Sequence, residues 1–490
     1  MPFNGQFQEL PVRFLFSAIR FMSLLFSFLL SFLTWLSTFA QPTDAPAWIK
    51  QVGAKTTPAV KTTFPVAKYK AVGDGKTLNT KAIQEAIDAA AKKGGVVTFA
   101  PGQYVTGSLF LKKGVTLQLD KGVTLLGSQD LKDYPEIQTR VAGIEMKWPA
   151  ALLNVLDQDN VAITGQGTVD GQGKVFWDSY WALRKQYEAK GLRWIVDYDA
   201  KRPRTLLVSN ASNVTLKGIT LQRSGFWTVH ILYSKNVTAD GLTIRNNIGG
   251  HGPSTDGIDI DSSSYVLVQN CDIDCNDDNF CLKAGRDWDG LRVNRPTEYV
   301  VIRDCVAGAG AGLLTCGSET SGGIRHVFAH NLKAKGTSAG LRIKSALTRG
   351  GTVEDIAFED VEMDGVGSAV AIEMNWNPSY SYSELPAGYT QETLPAHWKA
   401  MLMKVEPERG LPHYRNVRVA RLKVQNAKAG IRAAGLENSI LENFTFEDLA
   451  IAAAKAGSIS YAKDWTLKNV NIKAADQAAL EVQNSKDIKQ

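Results

Sequence analysis

Four short polar segments hold the side chains of this sequence that are best suited to chemistry. They are Ser254-Thr255-Asp256-Gly257-Ile258-Asp259, Asn276-Asp277-Asp278, Gly310-Ala311-Gly312 and Gly340-Leu341-Arg342-Ile343-Lys344. If these segments meet on one surface, three carboxylates lie beside two cations. That combination suits hydrolysis of a glycosidic bond in an acidic sugar polymer, because one carboxylic acid protonates the leaving oxygen while an ionised carboxylate activates water.

Strand-like alternation predicts that the charged side chains share one face. In the stretch 258–261 the two isoleucines point inward, so the two aspartates, including Asp259, point outward. Ile343 points inward in the same way, which places Arg342 and Lys344 on the outside. The two cations can then hold a substrate carboxylate and balance the charge of the site.

The spacing of the aspartates predicts that they lie on neighbouring coils. Asp256 sits beside a glycine turn, and Asp277-Asp278 follows one coil later. Stacked strands lie about 4.8 Å apart, so carboxylates on adjacent coils fall roughly 5–10 Å apart, which overlaps the spacing of inverting glycosidases. Crowding three carboxylates raises the pKa of at least one, since like charges resist joint ionisation. A lone Asp-Asp pair indicates only a turn; the order of the four segments favours a site.

A recurring unit predicts the scaffold that positions these segments. Short β-branched runs begin at Asn160, Asn213, Asn236, Tyr265, Tyr299, His326, Asn416, Asn443 and Asn469. Several steps between these starts, including the step from Asn443 to Asn469, are of similar length. Repeats of this size with inward Val, Ile and Leu and with Asn or Gly turns predict an all-β fold, a parallel β-helix of stacked coils. A propeller or a sandwich does not explain such a period.

The sequence also predicts the elements that lie outside the repeat. Residues 41–75 indicate an extended lead-in, followed by one helix that Asn79 or Thr80 can cap and that Gly94-Gly95 ends. We expect this helix to cover the open end of the solenoid, and no later helix is equally clear. Residues 76–490 are predicted to form a single catalytic domain with aromatic-rich loop insertions near 170–203 and 375–412.

The N-terminus and the composition limit the class of protein. Residues 1–40 pair an early basic region with an apolar run that ends in small residues, typical of a secretory signal peptide cut after Ala40. An uncleaved membrane anchor is the alternative. With cleavage we expect a secreted or periplasmic protein without stable membrane insertion. The net charge of +6 favours a polyanionic partner, but basic clusters with interleaved aromatics are lacking, which disfavours nucleic acid.

The five cysteines predict packing rather than a disulfide framework. They are Cys271, Cys275, Cys281, Cys305 and Cys316. Their number is odd and their spacing does not match a zinc site. In a stacked fold they suit a buried apolar role.

The four ordered motifs resemble those of glycoside hydrolase family 28, the polygalacturonase group. The family pattern is Asn-Thr-Asp, Asp-Asp, Gly-His-Gly and Arg-Ile-Lys on a right-handed parallel β-helix, and the resemblance runs from about residue 70 to the end of the chain. It implies a pectin-degrading enzyme that inverts the anomeric carbon and needs no metal or other cofactor. It further implies that Asp277 is the general acid, that Asp256 and Asp278 activate water, and that Arg342 and Lys344 bind substrate.

Two departures from the family pattern bear on the substrate. Ser254 replaces the usual asparagine and keeps a hydrogen-bonding side chain, whereas Ala311 replaces the family histidine and does not. Reduced activity, replacement by another group such as His251, or a different substrate would each follow. We therefore include His251 and Asp259 among the candidate substrate-binding residues, and His230 is either a cleft residue or a packed one.

The sequence leaves several functions open. The first is a secreted, monomeric hydrolase of galacturonate-containing pectin or its oligomers. The alternatives are a rhamnogalacturonan-type hydrolase, a β-helix polysaccharide lyase, and a catalytically weakened carbohydrate-binding β-helix. A lyase needs a calcium site and an Arg or Lys base, so the aspartate trio favours hydrolysis. Long aromatic loops favour action at a chain end over internal cleavage.

Overall fold

The computed structural model describes residues 1–2, 45–59 and 62–490, and its main body is a right-handed parallel β-helix, as predicted. A sheet of 31 strands winds through the molecule, and most strands between its two ends pair in parallel with strands of the preceding and following coils. The strand Leu206–Ser209, for example, pairs with Leu153–Leu156 on one side and with Val229–Leu232 on the other. An antiparallel hairpin of Glu136–Val141 and Ile144–Pro149 stands apart from this sheet.

The described strands and helices have the following bounds. The strands are Thr63–Pro65, Asp74–Leu78, Gly95–Thr98, Gly102–Thr106, Leu109–Leu111, Val115–Leu119, Val123–Gly127, Glu136–Val141, Ile144–Pro149, Leu153–Leu156, Asp159–Gly165, Thr168–Asp170, Leu206–Ser209, Ser212–Lys217, Thr220–Gln222, Val229–Leu232, Lys235–Asp240, Thr243–Arg245, Ile258–Asp261, Ser264–Gln269, Asp272–Asp274, Phe280–Lys283, Thr297–Ala307, Leu314–Cys316, Ile324–Lys335, Ala339–Lys344, Thr352–Asp364, Ser368–Glu373, His413–Ala434, Leu441–Ser460, Ala462–Ala474, Glu481–Gln483 and Lys486–Lys489. The α-helices are Thr80–Ala91, Lys174–Glu188, Val196–Asp199, Asp287–Val293, Pro378–Ser381, Ala396–Met401 and Pro407–Gly410. Short 3₁₀ helices span Ala47–Gln51, Val66–Tyr69, Leu131–Asp133, Arg193–Ile195 and Gln391–Thr393.

The first residue of the recurring unit turns the chain at a corner of each coil. Asn213, Asn236 and Asn443 have φ angles of 51°, 55° and 55°, in the left-handed region that asparagine tolerates better than most residues. One predicted step is wrong, because Trp465 stacks on Phe444 with ring centroids 4.5 Å apart. Asp464 therefore occupies the corner after Asn443, and the last coil is shorter than predicted.

The N-terminal end of the solenoid differs from the prediction in two details. The lead-in already contains the strand Thr63–Pro65, which pairs with Gly95–Thr98, so the β-helix begins before residue 76. The helix Thr80–Ala91 buries its apolar stripe, but Asn79 does not cap it. Its side chain instead accepts a hydrogen bond from the backbone N–H of Val72 at 2.7 Å and ties the lead-in to the helix.

Two insertions leave the coils on the side of the four polar segments. The first insertion (residues 171–205) contains the helix Lys174–Glu188, which is longer than the capping helix, so the expectation of one clear helix was wrong. The second insertion (residues 374–412) packs against it: the rings of Trp194 and Trp398 lie 5.4 Å apart. Most of the aromatic side chains on the first insertion are buried, as are Tyr380 and Trp398 on the second, so these rings hold the insertions in place.

The interior of the coils is a continuous apolar core. All five cysteines are buried and unbonded to one another, and four of them lie in the main core cluster, which confirms the packing role. Within the described residues, no helix is both long enough and apolar enough to cross a membrane. The predicted signal peptide falls almost entirely outside the described residues.

Candidate active site

The first two polar segments form adjacent turns of the solenoid. Ile258 pairs in register with Phe280, so Asp256 on one coil stands next to Asp278 on the following coil. The backbone N–H of Gly257 donates to the carbonyl of Asp278 at 2.9 Å. A side chain at Gly257 would come within 2.4 Å of the carbonyl oxygen of Asn279, so the close stacking that brings the aspartates together requires glycine there.

The three aspartates predicted to be catalytic meet at this turn. One carboxylate oxygen from each of Asp256, Asp277 and Asp278 lies within 4.8 Å of the other two. Asp256 and Asp278 are buried and Asp277 is partly exposed. This nearest approach is tighter than the roughly 6.5–9.5 Å that separates the carboxyl groups of inverting glycosidases.

The third segment stacks directly on the second. The backbone N–H of Ala311 donates to the carbonyl of Asp277 at 2.9 Å, so the methyl group of Ala311 lies one coil beyond the predicted acid. At Gly312, a Cβ atom would lie 2.2 Å from Oγ1 of Thr315 and 3.2 Å from Oδ1 of Asp278. The segment therefore shapes the turn around both aspartates through its backbone and supplies no polar side chain.

Asp278 is held by positive charge and by a hydroxyl group. Lys344 Nζ lies 2.8 Å from one carboxylate oxygen, and Arg342 lies 3.4 Å from the other. The hydroxyl of Thr315 donates to Asp278 Oδ1 at 2.8 Å. Trp376 covers both cations, with its ring centroid 4.4 Å from Lys344 Nζ and 5.5 Å from the Arg342 guanidinium.

A further cation, Lys283, was not singled out from the sequence. It ends the strand Phe280–Lys283, and its Nζ atom lies 3.4 Å from Asp256, 3.5 Å from Asp259 and 3.5 Å from Glu319. The ring centroid of Trp227 lies 4.6 Å from the same atom. Its alternation with Phe280 and Leu282 gives an outward direction, but which carboxylates it meets depends on turn lengths that the sequence does not reveal.

The neighbouring charges separate the protonation states of the three aspartates. Burial raises the pKa of Asp277, and the adjacent charge of Asp278 raises it further. Burial, followed by the charge of Asp277, raises the pKa of Asp256 to about 8. Burial also acts to raise the pKa of Asp278, but the charges of Lys344 and Arg342 outweigh it and hold that pKa well below its usual range. Asp277 thus suits a proton donor and Asp278 a proton acceptor.

The aspartates face an open cavity whose walls come from both coils and insertions. The first insertion contributes Arg193 and Asp197, and the second contributes Trp376 and Tyr380. Arg193 pairs with Asp197 at 2.8 Å. The cavity therefore combines carboxylates, cations and aromatic rings, the groups that bind and cleave a charged sugar.

Three of the candidate residues lie away from this cavity. Asp259 points away from the coil interior as predicted, but its side chain is fully buried beneath Lys283, so it does not reach a substrate. His230 is also buried, between Arg204 and the ring of Trp227, and so is a packed residue. His251 is exposed and lines a separate groove with Trp181 and Asn276.

The carboxylates of Asp256, Asp277 and Asp278 are also a possible set of ligands for a divalent cation. Its oxygen spacing is compatible with this. However, Lys344 already contacts Asp278 and Lys283 already contacts Asp256, and two ammonium groups at this distance repel a second cation. The donor set therefore suits acid–base chemistry better than metal binding.

Comparison with known proteins gives consistent matches. The family described as glycosyl hydrolases family 28 matches residues 100–388. A probable polygalacturonase of Vitis vinifera is 34% identical over 60% of this chain, which spans 59% of that protein's length. An exo-poly-alpha-D-galacturonosidase of Dickeya chrysanthemi is 27% identical over 85% of this chain and 71% of its own length.

A solved structure matches most of the β-helix. The crystal structure of a hyperthermoactive exopolygalacturonase from Thermotoga maritima superposes with a TM-score of 0.74 at 27% identity. The match covers 87% of this chain and 94% of that one.

Proposed function

The chain belongs to family 28 of the glycosyl hydrolases, and we propose that it removes galacturonate from the ends of galacturonan chains in pectin or its oligomers. The observation that carries this proposal is the cavity in which Asp277 and Asp278 lie side by side with pKa values shifted in opposite directions. Two relatives whose names specify exo action on polygalacturonate support the same reaction.

The bond cleavage follows from the roles of the aspartates. Asp277 gives its proton to the glycosidic oxygen as the bond between that oxygen and the anomeric carbon breaks. A water molecule beside Asp278 and Asp256 forms the new bond to that carbon, and its proton passes to Asp278. Attack from the face opposite the leaving oxygen inverts the anomeric carbon.

Inversion has a direct test. The nearest carboxylate oxygens are close, so their spacing does not by itself select inversion over retention. We expect proton NMR of the first product, recorded before mutarotation, to show the β-anomer from an α-linked substrate. An initial α-anomer would assign the enzyme a retaining mechanism.

The charges around the cavity suit an acidic sugar. Arg342 and Lys344 lie at the edge of the site and can turn toward a substrate carboxylate. Because burial and the charge of Asp277 raise the pKa of Asp256 to about 8, the cluster carries less negative charge near neutral pH than its composition suggests. This lowers the repulsion of a galacturonate ring.

Action at the chain end is supported by the two insertions. Their side chains Arg193, Trp376 and Tyr380 form walls of the cavity, which limits the length of chain that can lie across the aspartates. We expect polygalacturonate to release monomers or dimers while its viscosity falls slowly. A rapid fall in viscosity with a ladder of long oligomers would indicate internal cleavage instead.

The catalytic assignment is tested by Asp277→Asn. This change keeps the size of the side chain and removes the proton donor, so we expect kcat to fall by at least about 10²-fold with little change in KM. Asp274→Asn, on the strand before the site, is the matched control. Reducing-end release on polygalacturonate at the wild-type rate by the Asp277 variant would reject the assignment.

The position of Ala311 supports a second candidate, a hydrolase for a rhamnogalacturonan-type backbone. Ala311 stacks on Asp277 where the family histidine is expected, so the surroundings of the acid differ from the family pattern. A product profile on polygalacturonate, rhamnogalacturonan and their oligomers separates the two. A product that absorbs in the near ultraviolet would indicate a lyase, and binding without new reducing ends would indicate a carbohydrate-binding β-helix.

The cellular setting is part of the proposal. We propose that the apolar segment before Ala40 directs secretion and that the mature protein acts as a monomer outside the cytoplasm. Sequencing the N-terminus of the secreted protein and measuring its mass in solution test these two points.

A further inference from the structure

Asp259 is a buried carboxyl group that the proposed reaction does not use. Its side chain is fully buried, and within the described residues neither of its oxygens receives a hydrogen bond. The nearest cation, Lys283 Nζ, lies 3.5 Å away and also contacts Asp256 and Glu319. Burying an ionised carboxylate without hydrogen bonds is strongly unfavourable in free energy, whereas burying a protonated carboxylic acid is much less so.

The neighbours of Asp259 show where its proton would point. It pairs in register with His230 on the preceding coil and with Cys281 on the following coil. His230 is engaged by Arg204 at 2.8 Å and by Asp261 at 3.4 Å, and burial lowers its pKa to about 4, so it stays neutral. A carboxylate oxygen of Asp256 lies within 4.8 Å, which makes Asp256 the acceptor that remains for a proton on Asp259.

Asp256 differs from Asp259 in its access to the site. Asp256 lines the cavity and Asp259 does not. Burial raises the pKa of both groups, so together they retain a proton at neutral pH. Two carboxyl groups this close titrate as a pair, and the member without access to water keeps the shared proton more tightly.

We propose that Asp259 and Lys283 are positioning residues that form a proton-holding pair behind Asp256. Asp259 keeps the proton and donates a hydrogen bond to Asp256, while Lys283 stabilises the negative charge that this leaves on Asp256. The ionised oxygen of Asp256 then faces the cavity and orients the attacking water beside Asp278. The role of this pair rests on the proposed hydrolysis, but the location of the proton is independent of turnover.

The first test compares Asp259→Asn with Asp259→Ala. The amide of asparagine donates to Asp256 as the protonated acid does, whereas alanine does not. Both changes remove the same titratable group. We expect the Asn variant to keep kcat within about threefold of wild type and the Ala variant to lose roughly tenfold or more, with KM similar in both. Equal losses in the two variants would overturn the proposal.

The second test uses Lys283→Met. Loss of the ammonium group makes it harder to ionise Asp256, so the acidic limb of kcat/KM should move to higher pH by about one unit or more. Lys333→Met, an exposed change on another strand, is the control. An unchanged acidic limb would show that Lys283 has only a structural role.

The third test needs no substrate and remains valid if hydrolysis is not the function. Infrared difference spectra of the folded protein near neutral pH report protonated carboxyl groups by their C=O stretch. We expect one such band to be lost in Asp259→Asn and retained in Asp261→Asn. If wild type and Asp259→Asn show the same band, Asp259 does not carry the proton and the proposal is overturned. Failure of hydrolysis with the band present would reject only the proposed function.

Discussion

Asp277 and Asp278 are adjacent in the chain, yet their pKa values are shifted in opposite directions. The difference arises from what each carboxyl group contacts: Asp278 has Lys344, Arg342 and the hydroxyl of Thr315, whereas Asp277 has the negative charge of its neighbour. Two identical side chains can therefore serve as donor and acceptor in one reaction.

The importance of Lys344 for the ionised state of Asp278 can be measured. Lys344→Met removes the closest cation, so the pKa of Asp278 rises and the acceptor ionises only at higher pH. Lys344 also lowers the pKa of Asp256, which is the higher of the two, so we expect the acidic limb of the kcat/KM profile to move to higher pH by a smaller step than in Lys283→Met. Lys468→Met, on an exposed face, should leave the profile unchanged. A profile that keeps its acidic limb in the Lys344 variant contradicts this account.

Substitution of Ala311 offers a gain-of-function test. Ala311→His places an imidazole one coil beyond Asp277, the position of the family histidine. If polygalacturonate is the substrate, we expect kcat on it to rise by about 3–10-fold, because a hydrogen bond to the acid tunes proton transfer. A loss on polygalacturonate with activity retained on rhamnogalacturonan would show that alanine is an adaptation to the other substrate.

Some residues of the site could be predicted from the sequence and others could not. Asp256, Asp277, Asp278, Arg342 and Lys344 were placed together by alternation and coil stacking, and the structure brings them together. The burial of Asp259 was not predictable, since it depends on the cover formed by other coils and by Trp227. Lys283 was missed for the same reason: Asp256 and Asp259 lie on the preceding coil and Glu319 on the following one.

At the scale of elements, the two insertions act as one wall. Asp199 on the first insertion accepts hydrogen bonds from His397 at 2.6 Å and from Trp398 at 3.1 Å on the second. Tyr187 donates to the other oxygen of Asp199 at 3.0 Å. A single carboxylate therefore links the helix Lys174–Glu188 to the helix Ala396–Met401.

Removal of this link should loosen the wall without touching the aspartates. Asp199→Ala leaves the buried Trp398 indole N–H without an acceptor, which costs about 1–3 kcal/mol. We expect KM to rise several-fold while kcat changes little, and cleavage of the second insertion by added protease to accelerate. Asp178→Ala, on the exposed side of the first insertion, is the control. An unchanged KM would show that the insertions do not shape the binding site.

The helices and loops that interrupt the coils were harder to predict from the sequence than the coils themselves. The helix Lys174–Glu188 interrupts the repeat, and its residues Trp177 and Tyr180 lie in the stretch 170–203 that the sequence predicts to be an aromatic-rich loop. Asn469 was wrongly matched to Asn443, because a short last coil places a different residue at that corner. Coil length is set by turns and loops, whose lengths the apolar pattern does not determine.

For the whole molecule, the β-helix concentrates charge where stacking is closest. Carboxyl groups on successive coils approach one another because adjacent strands are about 4.8 Å apart. The fold remains stable despite this repulsion at the active site because the apolar core of the other coils outweighs it. A site built in this way destabilises the fold that holds it.

The pH dependence of stability tests this cost. Asp256 and Asp259 titrate as a pair, and the raised pKa of Asp256, about 8, means that the folded pair binds its shared proton more tightly than the unfolded chain does. Between the usual pKa near 4 and this value, the contribution of Asp256 to the free energy of unfolding falls as pH rises. Asp256→Asn removes the titration and should stabilise the protein by about 0.5–2 kcal/mol at pH 8 and by less at pH 5.

Urea unfolding at the two pH values measures this difference, and Asp274→Asn serves as a control outside the cluster. Activity of the Asp256 variant should fall while its stability rises, since the same crowding that weakens the fold sets the protonation states used in catalysis. Equal stabilisation at pH 5 and pH 8 would show that the effect of the substitution is not electrostatic. A loss of stability at pH 8 would mean that the contact between Asp256 and Lys283 outweighs the repulsion among the aspartates.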